Sequence, residues 1–205
     1  LEVSNLDMVL VTHPDADHIG GAASVLRRFP NALLAMNAEF QASPEVRELL
    51  RLTGRKADEI WWLRGRHVMS VGSARIDVIA PPKTDDDNSG SLMMRFASPA
   101  GRLVLTGDAP EDSEVQHLGQ MDWSCDVLLA GHHGSAGSTS EPWLRTTGPR
   151  WLAISCGRQN PYGHPSREVL RRAANAGAEV LRTDQGGTLE FMSVGGRYTP
   201  LLKKR

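Results

Sequence analysis

The chain is short of several things, and each shortage removes a class of function. No apolar run approaches the ~18 residues that a membrane span requires. There is no excess of either charge sign: the formal net charge is −1 over 205 residues, so bulk electrostatics do not call for a nucleic acid or a membrane surface. Only two cysteines are present, Cys125 and Cys156, far apart and outside any CxxC pair, which removes zinc knuckles and dithiol redox chemistry. Each lies in or beside an apolar run and is expected to be a buried, inert thiol. No internal repeat and no signal peptide is found. The chain starts at Leu1 rather than Met and is read as an excised piece of a longer protein.

What is present fits one soluble α/β domain over residues 1–205, with 40% apolar residues. Apolar runs predict strands over 8–12, 32–36, 74–80, 91–96, 102–106, 127–130, 151–155, 180–182, 188–192 and 197–201. The strands at 74–80, 91–96 and 102–106 read as a meander. Helical patterns fall at 19–28, 44–52, 110–118, 141–146 and 166–176. Ser43 is the expected N-cap of the second, with Pro44 in its first turn; Ser166 caps the last, and Gly177 stops it. The acids at the start of 110–118 suit the helix dipole. Strand pairs mixed with strand–helix–strand units predict helices covering sheet faces. The polar stretch from Lys83 to Asn88, with three successive aspartates from Asp85, reads as a solvated loop.

The most informative segment is His13-Pro14-Asp15-Ala16-Asp17-His18, followed by Gly20-Gly21, directly after the strand Met8-Val9-Leu10-Val11. Four metal-capable side chains within six residues are hard to account for as packing, because Asp is rarely buried unpaired. Three more strands end in chemistry. Thr106-Gly107-Asp108 supplies a carboxylate, Gly131-His132-His133-Gly134-Ser135 two imidazoles, and Asn160-Pro161-Tyr162-Gly163-His164-Pro165 another. Asn88-Ser89-Gly90-Ser91 precedes the strand at Leu92. Five of the seven histidines lie in these loops; His67 and His117 are surface or packing residues by context. Sheets fix the positions of strand-end loops and leave them accessible. A two-cation centre needs nitrogen and oxygen ligands for each ion plus a bridging carboxylate. His13 and Asp15 suit one ion, Asp17 and His18 the other, Asp108 the bridge, with His132 or His133 completing the set.

The series His13-x-Asp15-x-Asp17-His18-x-Gly20-Gly21, then Thr106-Gly107-Asp108, then a histidine after a later strand resembles the metallo-β-lactamase superfamily. VTHPDADHIGG, LTGDAPEDSE, DVLLAGHHGSAGSTS, NPYGHPSREVL and RTDQGG resemble more closely the C-terminal hydrolase domain of ComEC-type DNA-uptake (competence) proteins. The resemblance spans Val11 to Gly187. It implies an αββα sandwich, here lacking the first strands of the fold, with two divalent cations at one sheet edge. It implies His13, Asp15, Asp17, His18, Asp108 and one of His132 and His133 as ligands, and Asp17 as the group that orients or deprotonates the attacking water. Two positions depart from the usual pattern: Asp15 and Asn88 stand where most members carry histidine. Harder oxygen donors shift the preference from zinc towards manganese or magnesium. Asn88 is either a substrate or metal contact or an Asx turn that starts the strand. His164 either meets the substrate phosphate or locks its own loop. Ser135, Ser138, Thr139 and Ser140 are phosphate donors or ordinary loop and capping residues.

Arg167, Arg171 and Arg172, with Arg158 and Arg182, form either a phosphate track or a solvated face. Trp61, Trp62 and Trp151 are either base-stacking surfaces or buried and sheet-edge residues. The function implied is a phosphodiesterase or nuclease that acts on DNA, single-stranded during competence-related uptake, through metal-bound hydroxide. The parent protein would carry a membrane channel in the bacterial inner membrane, with this piece a soluble domain that does not itself insert. Two other readings stand beside it: a hydrolase of another ester (phosphocholine ester, lactone or β-lactam), and a catalytically silent DNA- or partner-binding domain. Fold alone does not choose among them.

Overall fold

The computed structural model describes residues 3–84 and 86–201, so Leu1 and the Asp85 of the acidic run lie outside the described residues. The chain divides into two compact units. One comprises Leu1–His67 with Ile79–Leu92, the other Val68–Val78 with Met93–Arg205. Both mix helices and sheets, as the sequence predicts. Among the described residues no helix is long and apolar enough to cross a membrane.

The first unit opens with β1 (Met8–Val11), the short α1 (Ala16–Ile19), α2 (Ala22–Arg28), β2 (Leu33–Asn37), α3 (Pro44–Thr53) and β3 (Ile60–Leu63). Its three strands lie in the order β1-β2-β3, all parallel, with Val9 opposite Leu34 and Leu34 opposite Ile60. Consecutive residues Leu34, Ala35 and Met36 are fully buried, as parallel strands with both faces covered require. Ile19, Ala22 and Leu26 from α1 and α2, and Val46 and Leu49 from α3, join one core with Val11, Leu34 and Met36. α3 begins where the sequence indicates: Ser43 Oγ accepts from the Val46 N–H at 3.4 Å, Pro44 fills the first turn, and Gly54 ends it in the left-handed region at φ 68°. The pattern at 19–28 is not one helix. It splits at Gly20-Gly21, where a side chain on Gly20 would lie 2.4 Å from the Ala16 carbonyl oxygen.

The chain continues through β4 (Gly65–Val71), β5 (Ala74–Ala80), β6 (Met93–Ser98), β7 (Gly101–Leu105), α4 (Glu111–His117), β8 (Val127–Leu129), α5 (Glu141–Thr147), β9 (Trp151–Ile154), α6 (Arg167–Asn175), β10 (Glu179–Arg182), the short α7 (Thr183–Gly186), β11 (Phe191–Val194) and β12 (Arg197–Pro200). The strand order β10-β9-β8-β7-β6-β5-β4 contains the expected meander. β6 and β7 form an antiparallel hairpin, whereas β7, β8, β9 and β10 are parallel neighbours joined by helices. Parallelism has a functional consequence: the C-terminal ends of β7, β8 and β9 open on the same edge, where α/β sheets bind ligands. Asp126 holds the opposite end of β7, its carboxylate accepting from the Arg102 N–H at 2.8 Å and the Arg102 guanidinium at 3.1 Å. β11 and β12 form a separate hairpin whose Gly195-Gly196 turn has φ 60° and 76°, the conformation that glycines allow.

The cysteine expectation holds for Cys125, which is buried, and needs correction for Cys156, which is only half-buried. Its place just beyond β9, outside the apolar run, is the reason.

Candidate metal centre

In the first unit, β1 delivers Thr12 and His13 at its C-terminal end. The Asp15 carbonyl then accepts from the N–H groups of His18 and Ile19, each at 2.9 Å, which winds α1 so that Asp17 and His18 follow on one turn. The two imidazoles lie against each other, tilted at 47°, with a centroid distance of 4.1 Å. Between them stands a residue the sequence reading overlooks: Thr12 Oγ1 lies 3.1 Å from His13 Nδ1 and 3.2 Å from His18 Nδ1. With both Nδ1 atoms so engaged, the Nε2 atoms face carboxylates. His13 Nε2 is 3.6 Å from Asp15 Oδ2, and His18 Nε2 is 3.9 Å from Asp17 Oδ2. A hydrogen bond at one ring nitrogen that presents the other is the usual orientation of metal-binding histidine. His13 is wholly buried, while the Asp17 carboxylate is 64% exposed.

The Asn88 segment is fastened to the same loop. The Leu92 N–H donates to the Thr12 carbonyl at 3.0 Å, and Asn37 Nδ2 donates to the carbonyls of Pro81 and Gly90 at 2.7 and 2.8 Å. The Asx turn here belongs to Asp86, whose carboxylate accepts from the Asn88 N–H at 3.0 Å; Asn88 does not form it. Among the described residues, Asn88 Oδ1 is buried without a hydrogen-bond partner. An orphaned buried acceptor costs about 1–3 kcal/mol, a cost that a cation or a donor from a ligand removes.

In the second unit, Asp108 follows β7, His132 and His133 follow β8, and His164 sits in the loop after β9. Asp108 Oδ2 is 3.7 Å from His132 Nε2 and 3.8 Å from His133 Nε2. His132 and His133 both occupy the left-handed region, at φ 46° and 54°, and Thr139 at φ 54° does so later in the same connection, just before α5. Such backbone costs of order 1–3 kcal/mol per residue and persists where surrounding contacts enforce it. Here they are explicit. The His132 N–H donates to the Gly107 carbonyl at 3.1 Å, Gly131 N–H to Thr139 Oγ1 at 2.9 Å, and Ser138 Oγ to the Ala109 carbonyl at 2.9 Å.

A second overlooked residue organises this loop. Glu114 of α4 is fully buried, and its carboxylate accepts from the N–H groups of Thr139 and Ser140 at 2.7 and 2.8 Å. Burial pushes its pKa up to about 7, against the lowering effect of those hydrogen bonds. In the sequence it passes for one more first-turn acid. Ser138, Thr139 and Ser140 are occupied by loop contacts and by capping of α5, where Ser140 Oγ accepts from Trp143 N–H. Ser135 N–H donates to the His132 carbonyl at 2.8 Å, and its half-buried hydroxyl accepts only a long contact from Gly137 N–H, 3.4 Å.

Among the described residues, the loop that carries His164 is held by another side chain. Asn160 Nδ2 donates to the carbonyls of Gly157 and His164 at 2.8 and 2.7 Å, and its Oδ1 accepts from His164 N–H at 2.8 Å. The imidazole of His164 packs against His132 at 5.9 Å. Burial, then the imidazoles of His132 and His133, hold its pKa below the ordinary histidine value.

Other candidates have structural partners or are partly buried. Arg171 and Arg172 pair with Glu168, Arg172 also donates to the carbonyls of Ala136 and Ser138, and Arg182 pairs with Asp184. Trp61 and Trp62 are half-buried on β3, at the edge of its sheet, and Trp151 is buried in β9. His117 is buried, its Nδ1 bonded to the Ser113 carbonyl.

Comparison with known proteins agrees with these features. The chain is 30% identical over 192 residues to ComE operon protein 3 of Bacillus subtilis, covering 92% of this chain and 25% of that protein. It is 31% identical over 193 residues to competence protein ComA of Neisseria gonorrhoeae (92% of this chain, 26% of the relative), and 31% over 185 residues to recombination protein 2 of Haemophilus influenzae (89% and 22%). It therefore spans about a quarter of the length of these relatives. Among solved structures, CmlA, a diiron β-hydroxylase from Streptomyces venezuelae, matches with a TM-score of 0.62 at 12% identity over 88% of this chain and 44% of that one, a likeness of fold. The family described as the metallo-beta-lactamase superfamily matches residues 1–157. On that match, which covers more than half of its length, this chain belongs to the metallo-β-lactamase superfamily and has its mixed α/β fold.

Proposed function

We propose that this chain is a metal-dependent phosphodiesterase whose substrate is single-stranded DNA, acting in competence-related DNA uptake. In this reading residues 1–205 serve as one hydrolase domain. His13, Asp15, Asp17, His18, Asp108 and one of His132 and His133 are ligands of two divalent cations, manganese, magnesium or zinc. The observation that carries the reading is the donor set: three aspartates accompany the histidines, and the buried Asn88 Oδ1 adds a further oxygen that lacks a partner. Oxygen-rich sites favour hard cations, which phosphate oxygens also favour. The likeness to competence proteins supports a role in DNA uptake, and the resemblance to ComEC-type proteins implies a membrane-channel parent in the bacterial inner membrane.

Divalent cations in such a site lower the pKa of water and neutralise charge on phosphate oxygens. The chain's own residues do the remainder. Asp17, the most exposed of the carboxylates named, receives the proton of the attacking water. His164, whose pKa burial and the neighbouring imidazoles lower, hydrogen-bonds a phosphate oxygen, and the Ser135 hydroxyl and Asn88 amide orient the substrate.

A second reading has its own support. A cavity of about 710 Å³ lies in the second unit, lined by Leu103, Leu105, Val127, Leu129 and Phe191, with Ser155 in its wall. The Ser155 carbonyl is the partner of His133 Nδ1. An apolar cavity so near a candidate ligand suits an ester or lactone with an apolar group.

Incubation of the chain with Mn²⁺, Mg²⁺ or Zn²⁺ and labelled single-stranded DNA, beside an Asp17→Ala variant, tests both. Manganese-dependent cleavage lost in the variant supports the first reading. Turnover of nitrocefin or a lactone without DNA cleavage supports the second. Metal binding without turnover of any ester points to a silent binding domain.

A further inference from the structure

Tyr162 stands out in the second unit. At 78% exposure it is the most exposed of the large apolar or aromatic residues there, yet it sits beside the candidate centre. Its ring stacks on His164 at a centroid distance of 5.8 Å and an interplanar angle of 18°, and the His164 ring in turn meets His132 at 5.9 Å. Three rings thus run in series from a candidate ligand outward to the surface. The loop that carries them is not slack. Asn160 spends both amide hydrogens and its carbonyl oxygen on the backbone of Gly157 and His164, and Gly163 takes the left-handed turn at φ 71° that this closure needs. Tyr162 lies at the crown of that closed loop.

A stack near parallel uses one face of the phenol, and most of the residue's surface stays open to solvent. A flat ring held on a rigid loop beside a phosphate-handling centre has the chemistry of a base platform. Every nucleobase offers a π-face, and stacking on an aromatic side chain tolerates any sequence. The chain carries a formal net charge of −1, so bulk charge supplies no general attraction to phosphates. Stacking supplies affinity without it.

We propose that Tyr162 is the stacking platform for an unpaired nucleobase next to the scissile phosphate, which makes it the residue that selects single-stranded over base-paired DNA. This rests on the phosphodiesterase reading and adds to it a specific subsite. A paired base shows only its edges, so a duplex does not offer the face that Tyr162 requires.

The test is binding of fluorescein-labelled dT12 and an abasic 12-mer to the full chain in EDTA, followed by cleavage of dT12 with Mn²⁺. The unsubstituted chain binds dT12 more tightly than the abasic strand. Tyr162→Ala loses about five- to a hundredfold in affinity for dT12 and little for the abasic strand, while Tyr162→Trp keeps the preference. In cleavage the loss falls on KM rather than on kcat. Equal binding of the two strands by the unsubstituted chain, or an unchanged preference in Tyr162→Ala, overturns the platform. If base preference depends on Tyr162 but no metal yields cleavage, the platform stands and the phosphodiesterase reading falls. Cleavage with a KM indifferent to Tyr162→Ala does the reverse.

Discussion

His133 donates its Nδ1 proton to the Ser155 carbonyl 2.9 Å away, which leaves Nε2 as the atom turned towards the Asp108 carboxylate at 3.8 Å. A carbonyl only accepts, so this contact sets the tautomer. The Nε2 lone pair is then available to a cation, in the arrangement that metal-bound histidines favour. The sequence offers His132 and His133 as equals, and this contact favours His133.

His133→Ala should therefore lose one equivalent of bound Mn²⁺ or Zn²⁺, while His132→Ala keeps the stoichiometry. Elemental analysis of dialysed protein, with calorimetric titration, checks this. Loss of an equivalent in His132→Ala alone reverses the assignment.

Metal should stabilise the fold. A cation that binds the native state alone adds about 2.7 kcal/mol at a hundredfold excess over its Kd. Thermal melts in Mn²⁺ should exceed those in EDTA, and Asp108→Asn should remove most of the difference. Melts that ignore the metal in the unsubstituted chain would contradict the ligand set.

Glu114 should make stability depend on pH. Its carboxyl rises from an ordinary 4.5 to about 7 on folding, so between those values the folded chain holds a proton that the unfolded chain has released. Its contribution is thus fully present below pH 4.5 and lost as pH rises through about 7. The loss is on the order of a few kcal/mol. Glu114→Gln, which does not titrate, should flatten the fall between pH 5 and pH 8 in urea denaturation. A slope equal to that of the unsubstituted chain would show that the burial of Glu114 has no such effect.

Gly134→Ala should be costly. Gly134 has φ 87°, and an added methyl would stand 2.8 Å from the Pro165 side chain and 3.1 Å from its backbone. Neither neighbour yields easily, so about 2 kcal/mol or more of stability should be lost. Because Gly134 adjoins His133, metal affinity should fall with it. Denaturation midpoints and the same calorimetry read both.

Much of the strand framework is legible because apolar runs such as 8–12 and 127–130 end abruptly in polar residues. β3 and β4 escape the reading for a physical reason. β3 is only four residues long with Trp61 and Trp62 both half-buried, and β4 is largely exposed over Gly65–Val71. The strand expected at 188–192 forms later, over Phe191–Val194, where pairing with Arg197–Pro200 across the Gly195-Gly196 turn sets its register.

The residue types of the centre are written in the chain: His13, Asp15, Asp17, His18, Asp108 and the His132-His133 pair declare metal chemistry through their density after strands. Their orientation is not. Thr12 between two imidazoles, Ser155 behind His133, Glu114 beneath the Thr139 turn and Asn160 across the His164 loop act through contacts between residues up to 26 positions apart. Local sequence determines which donors exist, because that is a matter of side-chain chemistry. Only folding decides which nitrogen faces outward, because that depends on a partner brought from elsewhere in the chain.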